Sequence, residues 1–471
     1  MTRVATLILV VLFAAAAAHA RQAPSALPSP PSDDEIARNA ERLFKGYEET
    51  GLFSGAFLVA RGETVLFQGA AGLANAEFDV PNTIETRFGI SALSQLFTVS
   101  AVLRLVEGGR LDLHAPVGRH MTGWPEPYQA LTAHQLLIGK SGVKDVTRIP
   151  AFVQSVALPR STQELAAVIL KEPLGTPPPV GRPNNSEYHL LAAVVERAAG
   201  LAFTEYVRRE VIERAGLART GHNDPSAILD RRASSFTETS AGLRHADPFH
   251  MSNAVGMANL LSTVGDVHRF FRALVTGKVI SKASLELMST AHVPMRDLGG
   301  GRRGPGFGYG ISLLGRTWWS GGGIGGYFAH LSYDPDREVL GLILGNTGNS
   351  AGTFGLLNAR NALLVGRPFH VPVKRAAVTP DPGDLTRLAG EWRTENPAGA
   401  GTPLTLRIRV DDGRVFVQVG TTGGDYEWFA EGPGRFFARH ADAQIVLAEG
   451  SADQASYVVT GIARVIRRQP R

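Results

Sequence analysis

Phe88-Gly89-Ile90-Ser91-Ala92-Leu93-Ser94-Gln95-Leu96-Phe97-Thr98 reads as the start of a buried helix. From about Ala92 to Glu107 the chain is rich in Leu, Val and Phe, and Gly108-Gly109 supplies a stop. Residues three apart on a helix share a face. Ala92 and Gln95 therefore point to one side, one turn apart, while Ser91 and Ser94 flank that line and sit on other faces of the turn.

Working outward, Ser32-Asp33-Asp34-Glu35 fits a capping box, and Ile36, Ala40, Leu43 and Tyr47 follow at helical spacing. Ser54–Ala60 and Thr64–Gln68 read as strands around a turn at Arg61-Gly62-Glu63. Residues 110–300 read mainly as helices joined by Pro- and Gly-rich loops. Strands return from about 307 to 345, with Pro335 in a turn between Tyr327–Tyr333 and Val339–Leu344, and a helix near 353–364 precedes Gly366. Prolines 368, 372, 380 and 382 mark 367–384 as a linker. Beyond it, Leu404, Leu406, Ile408 and Val410 alternate with polar residues, as do Val415, Val417 and Val419, around a hairpin turn at Asp412-Gly413. Residues 385–471 are thus expected to form a small all-β domain, a barrel or sandwich.

At the other end, Arg3, an apolar run from Val4 to Ala18 and the small-x-small site Ala18-His19-Ala20 predict a signal peptide over 1–20. Pro, Ser and Ala make 21–31 a disordered tether. An uncleaved anchor is the rival reading, but the run is short and has no stop-transfer charges. The expected location is periplasmic or secreted, with no integral membrane segment after signal removal. The 471 residues contain no cysteine, which excludes disulfides, thiolate metal sites and a cysteine nucleophile. With 48 Lys+Arg against 43 Asp+Glu, the net charge of +5 is too mild and too spread to argue for nucleic acid.

Three segments carry a family resemblance. Phe88 to Thr98 resembles a helix start in which a Phe precedes Ser-x-x-Lys and a Phe-Thr pair follows. His134-Gln135-Leu136-Leu137 with Ser141-Gly142 is similar to an "HLLTHTSG" stretch. Trp319-Ser320-Gly321-Gly322-Gly323-Ile324-Gly325-Gly326-Tyr327 resembles an "HGGG" or "HTGG" strand. In order and spacing these match the class C β-lactamase and penicillin-binding-protein family of serine hydrolases over roughly residues 35–365. The resemblance implies an α/β (α+β) fold over 32–366. An antiparallel sheet, built from both ends of the domain and flanked by helices, would carry an inserted helical subdomain, with the site in the cleft between them.

The resemblance also implies a mechanism whose residues are altered here. The family's serine is deprotonated by the lysine one turn on, and a helix N-terminus with a strand N–H stabilises the oxyanion. The two Phe positions are nine apart in the family, as are Phe88 and Phe97, so the serine position is Ala92 and the lysine position Gln95. A one-residue slide would bring Ser91 to the serine position but pair it with Ser94. The Tyr-x-Asn motif becomes Pro183 and Asn185, counted back from Tyr188, which reads as a packing residue. Ser320 replaces the His or Lys of the strand, or Trp319 does if the register shifts by one, and Gly321, Gly322 and Gly323 remain.

The expectation is a catalytically inactive member that keeps a cleft for a small acyl, peptide or cell-wall-derived ligand. Ser91, Ser94, Asn185, Gly321, Gly322 and Gly323 are its candidate lining. Two rivals stay open: a hydrolase using Ser91, Ser94 or Ser320, and an interaction protein acting through the C-terminal β-domain. No cofactor or metal is expected. Gly321-x-Gly323-x-x-Gly326 matches a dinucleotide fingerprint by letter but is followed by a strand-like segment instead of a helix. His245 and His250 lack a third ligand nearby. Lys140 reads as a solvated lysine and Ser141 as a loop-forming hydroxyl.

Overall fold

Residues 30–179, 181–294, 304–348, 350–395, 403–421 and 423–469 are described by a computed structural model. The expected signal segment and most of the 21–31 tether lie outside them. Helix α1 (Asp33–Thr50) opens where Ser32 and Glu35 cap each other reciprocally and ends on Gly51, which takes a left-handed conformation. Its buried stripe, including Ile36, Ala40, Leu43 and Tyr47, packs on a sheet whose strand β1 (Gly55–Arg61) is buried on both faces. Strand β2 (Thr64–Ala71) follows.

A single 3-10 turn, Ser91–Leu93, leads into α2 (Ser94–Glu107), which is wrapped by the core on nearly every side. Phe97 stacks on Phe270 with ring centroids 3.8 Å apart. Helices α3 (Asn185–Ala199) and α4 (Val264–Val275) join the same core. The 110–300 region is not purely helical. Leu260–Ser262 pairs between Phe88–Gly89 and Gly221–His222, because the chain needs backbone partners where it re-enters beside the head of α2.

Strands β3 (Gly306–Phe307), β4 (Ser312–Leu314), β5 (Thr317–Ile324), β6 (Tyr327–Asp334) and β7 (Val339–Gly345) complete a seven-stranded antiparallel sheet in the order β3-β4-β5-β6-β7-β1-β2. Pairing of β1 with β7, from Gly55↔Gly345 to Arg61↔Val339, joins the two ends of the domain. Side chains alternate across the sheet. Tyr327, Ala329, Leu331 and Tyr333 of β6 belong to the core around α2, whereas Phe328 joins the core under α1 and α5 (Ala351–Leu364).

The region expected as a linker differs at its end. Helix α6 (Pro382–Leu388) starts inside 367–384, because the Asp381 side chain accepts the Asp384 N–H and Pro382 pre-sets the first turn. Asp384 accepts the Gly434 N–H at 2.6 Å, and Leu388 joins the core of the β-domain, so this turn packs with the strands after it. Strands β8 (Gly390–Thr394), β9 (Thr405–Asp411), β10 (Arg414–Val419), β11 (Asp425–Gly432), β12 (Arg435–Ala438), β13 (Ala443–Leu447), β14 (Gln454–Val459) and β15 (Ile462–Arg468) form a closed eight-stranded barrel. Pairing of β8 with β15, Trp392↔Arg468 among them, closes it and leaves no free edge. Among the described residues no helix is long and apolar enough to cross a membrane.

Candidate functional site

Ser91 holds φ at 46°, a left-handed conformation that costs an L-residue on the order of 1–2 kcal/mol. Its surroundings maintain it: the side chain is fully buried, and its Oγ donates to the Tyr327 carbonyl at 3.4 Å. This sharp turn leaves Ala92 half-buried at the head of α2. Strand β5 lies against it. A Cβ built on Gly322 would sit 3.2 Å from the Ala92 Cβ, tighter than an ordinary contact, so the bare strand position lets helix head and strand approach without either giving way. Gln95 is half-buried one helical turn further on. Helix head and glycine strand are thus brought together as the sequence register requires, with a methyl group and a neutral amide at the two positions.

Ser91 and Ser94 do not line the cleft, contrary to the expectation. They are 0% and 2% exposed. Ser94 Oγ accepts the Leu260 N–H at 3.3 Å, where the chain pairs beside α2. The physical reason is the register itself: with Ala92 outward, its neighbour Ser91 and Ser94, two residues on, turn inward. Ser320 is also buried, and its Oγ donates to the Gly310 carbonyl at 3.1 Å. Gly321 and Gly322 are half-buried and Gly323 is exposed.

Pro183 and Asn185 sit at the approach to α3. The Asn185 amide is aimed at Asp145, 3.4 Å from its carboxylate. Tyr188 is buried in the core, and burial raises its phenol pKa. Gly139, at φ 67°, lets the 138–140 loop lie directly on Arg182 and Pro183, where a Cβ would meet backbone at 2.2 Å. Lys140 is not freely solvated. Its Nζ donates to the Pro178 and Pro179 carbonyls at 2.8 and 2.6 Å, binding the two loops into one wall.

Sequence reading missed Glu187. Ser141 Oγ donates to its carboxylate, which also accepts the Asn184 N–H at 2.7 Å. Burial pushes the Glu187 carboxyl up to about 7. The signal was present as a capping box, Asn184-x-x-Glu187, at the start of α3. His245 is exposed and faces Glu77 at 3.2 Å, while His250 caps a short turn through Ser252. Among the described residues no group of three or more His, Cys, Asp or Glu could hold a metal ion.

Comparison with known proteins places this architecture. The family profile described as Beta-lactamase matches residues 40–366. A penicillin-binding protein of Bacillus subtilis (strain 168) is 23% identical over 448 residues, covering 90% of this chain and 96% of its own length. The octameric penicillin-binding protein homologue from Pyrococcus abyssi superposes with a TM-score of 0.61 at 20% identity, covering 92% of this chain and 100% of that one. The penicillin-binding protein from Bacillus halodurans gives a TM-score of 0.60 at 24% identity, over 68% of this chain and 98% of its own. By its fold and by the match over most of its length, the chain belongs to the beta-lactamase family.

Proposed function

We propose that the protein is an exported member of the family whose cleft binds a small acyl, peptide or cell-wall-derived ligand without turning it over. The observation that carries this reading is the methyl group of Ala92 against Gly322, with the Gln95 amide one turn on. Acyl transfer in this family needs a hydroxyl and a base at those positions. Loss of a serine nucleophile alone costs about 10⁶-fold in a serine protease. Here the base is replaced as well, and Pro183 offers no hydroxyl. Ser91, Ser94 and Ser320 have buried side chains with their own backbone partners, which counts against a substitute nucleophile.

Retained binding is supported by the strand. Pairing of β4 with β5 ends at Ser312↔Trp319, so along Ser320–Ile324 that edge of β5 has no strand partner among the described residues. An extended ligand can add to such an edge through backbone hydrogen bonds, and glycines let it approach closely. The test is incubation with peptide esters, amides and penicillins, followed by mass spectrometry of protein and ligand. The reading expects protein of unchanged mass and intact ligand retained at equilibrium. A stoichiometric adduct, or product formed faster than in buffer, overturns it.

A further inference from the structure

On the face of the sheet away from Ala92, three residues form one cross-strand row: Trp319 of β5, Ser332 of β6 and Gly341 of β7. Arg360 of α5 lies on Gly341. A Cβ there would fall 2.7 Å from its Cδ. Arg360 is 0% exposed, and among the described residues no carboxylate pairs with it. Buried guanidinium groups are ordinarily neutralised by an acid. Its N–H groups reach only neutral acceptors: the His330 and Gly341 carbonyls, His330 Nδ1 at 3.0 Å and Asn361 Oδ1 at 2.7 Å.

Two further groups in the row have no partner among the described residues. Trp319 Nε1 and Ser332 Oγ are both shielded from solvent and unbonded, and Ser332 is 4% exposed. The Arg360 contact also fixes the tautomer of His330, which lies in the next cross-strand row with Gly321 and Ile343. Because arginine can only donate, His330 Nδ1 must accept, which places the ring proton on Nε2. Burial and the neighbouring guanidinium hold this imidazole neutral. The His330 ring stands edge-on to Trp319 at 5.8 Å. The row therefore holds two unpaired polar groups beside one buried positive charge, and the nearby carbonyl and amide acceptors are already engaged by Arg360. A lone water would have to place two protons here, and only Ser332 Oγ remains to accept one.

We propose that this row is a binding site for a small monovalent anion of halide size, held by Trp319 Nε1–H and Ser332 Oγ–H and offsetting the charge of Arg360. Trp319 immediately precedes Ser320 and the glycines of β5, so occupancy braces the strand that forms the cleft wall.

The probes are bromide and chloride against gluconate at fixed ionic strength, which separates specific binding from screening. The halides are expected to raise Tm of the full chain saturably, by roughly 2–4 °C. Bromide-soaked crystals should show anomalous density within hydrogen-bond reach of Trp319 Nε1 and Ser332 Oγ. Trp319→Phe and Ser332→Ala should each abolish the Tm response, either folded variant sufficing. Equal Tm in halide and gluconate, an undiminished response in the variants, or a water without bromide density overturns the proposal.

Discussion

A disulfide between positions 92 and 322 reads the contact at the centre of the site directly, because the chain has no cysteine to confuse the result. A Cβ on Gly322 would stand 3.2 Å from that of Ala92, a few tenths of an ångström short of the roughly 3.5–4.5 Å that disulfides span. Gly322 lies outside the left-handed region, so a side chain there costs no backbone strain, and the helix head need open by only a few tenths of an ångström. In Ala92→Cys/Gly322→Cys the closed loop would hold about 230 residues, for which chain entropy alone gives about 5 kcal/mol. After the strain of opening the contact, we expect a net gain of about 2–4 kcal/mol. The assay is mild oxidation, thiol titration and peptide mapping, then denaturant unfolding with and without reductant. Ser94→Cys/Gly322→Cys is the control, because Ser94 faces Leu260 and should not cross-link. If the 92/322 pair keeps free thiols while Ser91→Cys/Gly322→Cys closes readily, the register assigned to the helix head is wrong.

Three other outcomes follow from the same geometry. Glu187 has its carboxyl raised from 4.5 to about 7 by burial, so between those values the native state holds a proton that the unfolded chain has lost. The contribution of Glu187 to stability should be fully present below pH 4.5 and be lost as pH rises through about 7, at most about 3 kcal/mol; Glu187→Gln should remove that component, read as the difference from the native chain in urea unfolding at pH 4.5 and 7.5, and a difference unchanged between the two counts against it. Gly321→Ala would place a Cβ 2.3 Å from the Ala329 carbonyl oxygen, at φ +149°, so a loss of roughly 1–3 kcal/mol is expected; wild-type stability would contradict the pairing of β5 with β6. Trp392 is buried in the barrel and its Nε1–H donates to the Leu388 carbonyl at 2.8 Å; Trp392→Ala should cost about 3–5 kcal/mol, seen as early loss of the barrel's near-ultraviolet signal, and an unaltered melt refutes this.

What could be read from the sequence was local. Ser32 with Glu35 caps α1 as its spacing announced. Asp412 and Gly413 both take positive φ between β9 and β10, as a two-residue hairpin demands. The nine-residue interval from Phe88 to Phe97 was enough to expect Ala92 and Gln95 on one face. What escaped depends on partners distant in the chain. Ser141 meets Glu187 across 46 residues, and Lys140 reaches carbonyls nearly 40 residues away. The left-handed φ of Ser91 is set by Tyr327, so its composition gives no sign of it. The inward turn of Ser91 and Ser94 follows only once the helix is seated against the sheet. Closure of the barrel by β8 and β15 and the seat of Arg360 on Gly341 are likewise tertiary.

The helix head carries a methyl group where the family's chemistry requires a nucleophile. In-gel fluorescence after exposure to a fluorescent penicillin measures this most directly, run on the native chain beside Ala92→Ser/Gln95→Lys. The native protein should remain unlabelled and the double variant should carry a covalent, denaturation-resistant label. Stoichiometric labelling of the native chain, lost on replacing a single other serine, would contradict it.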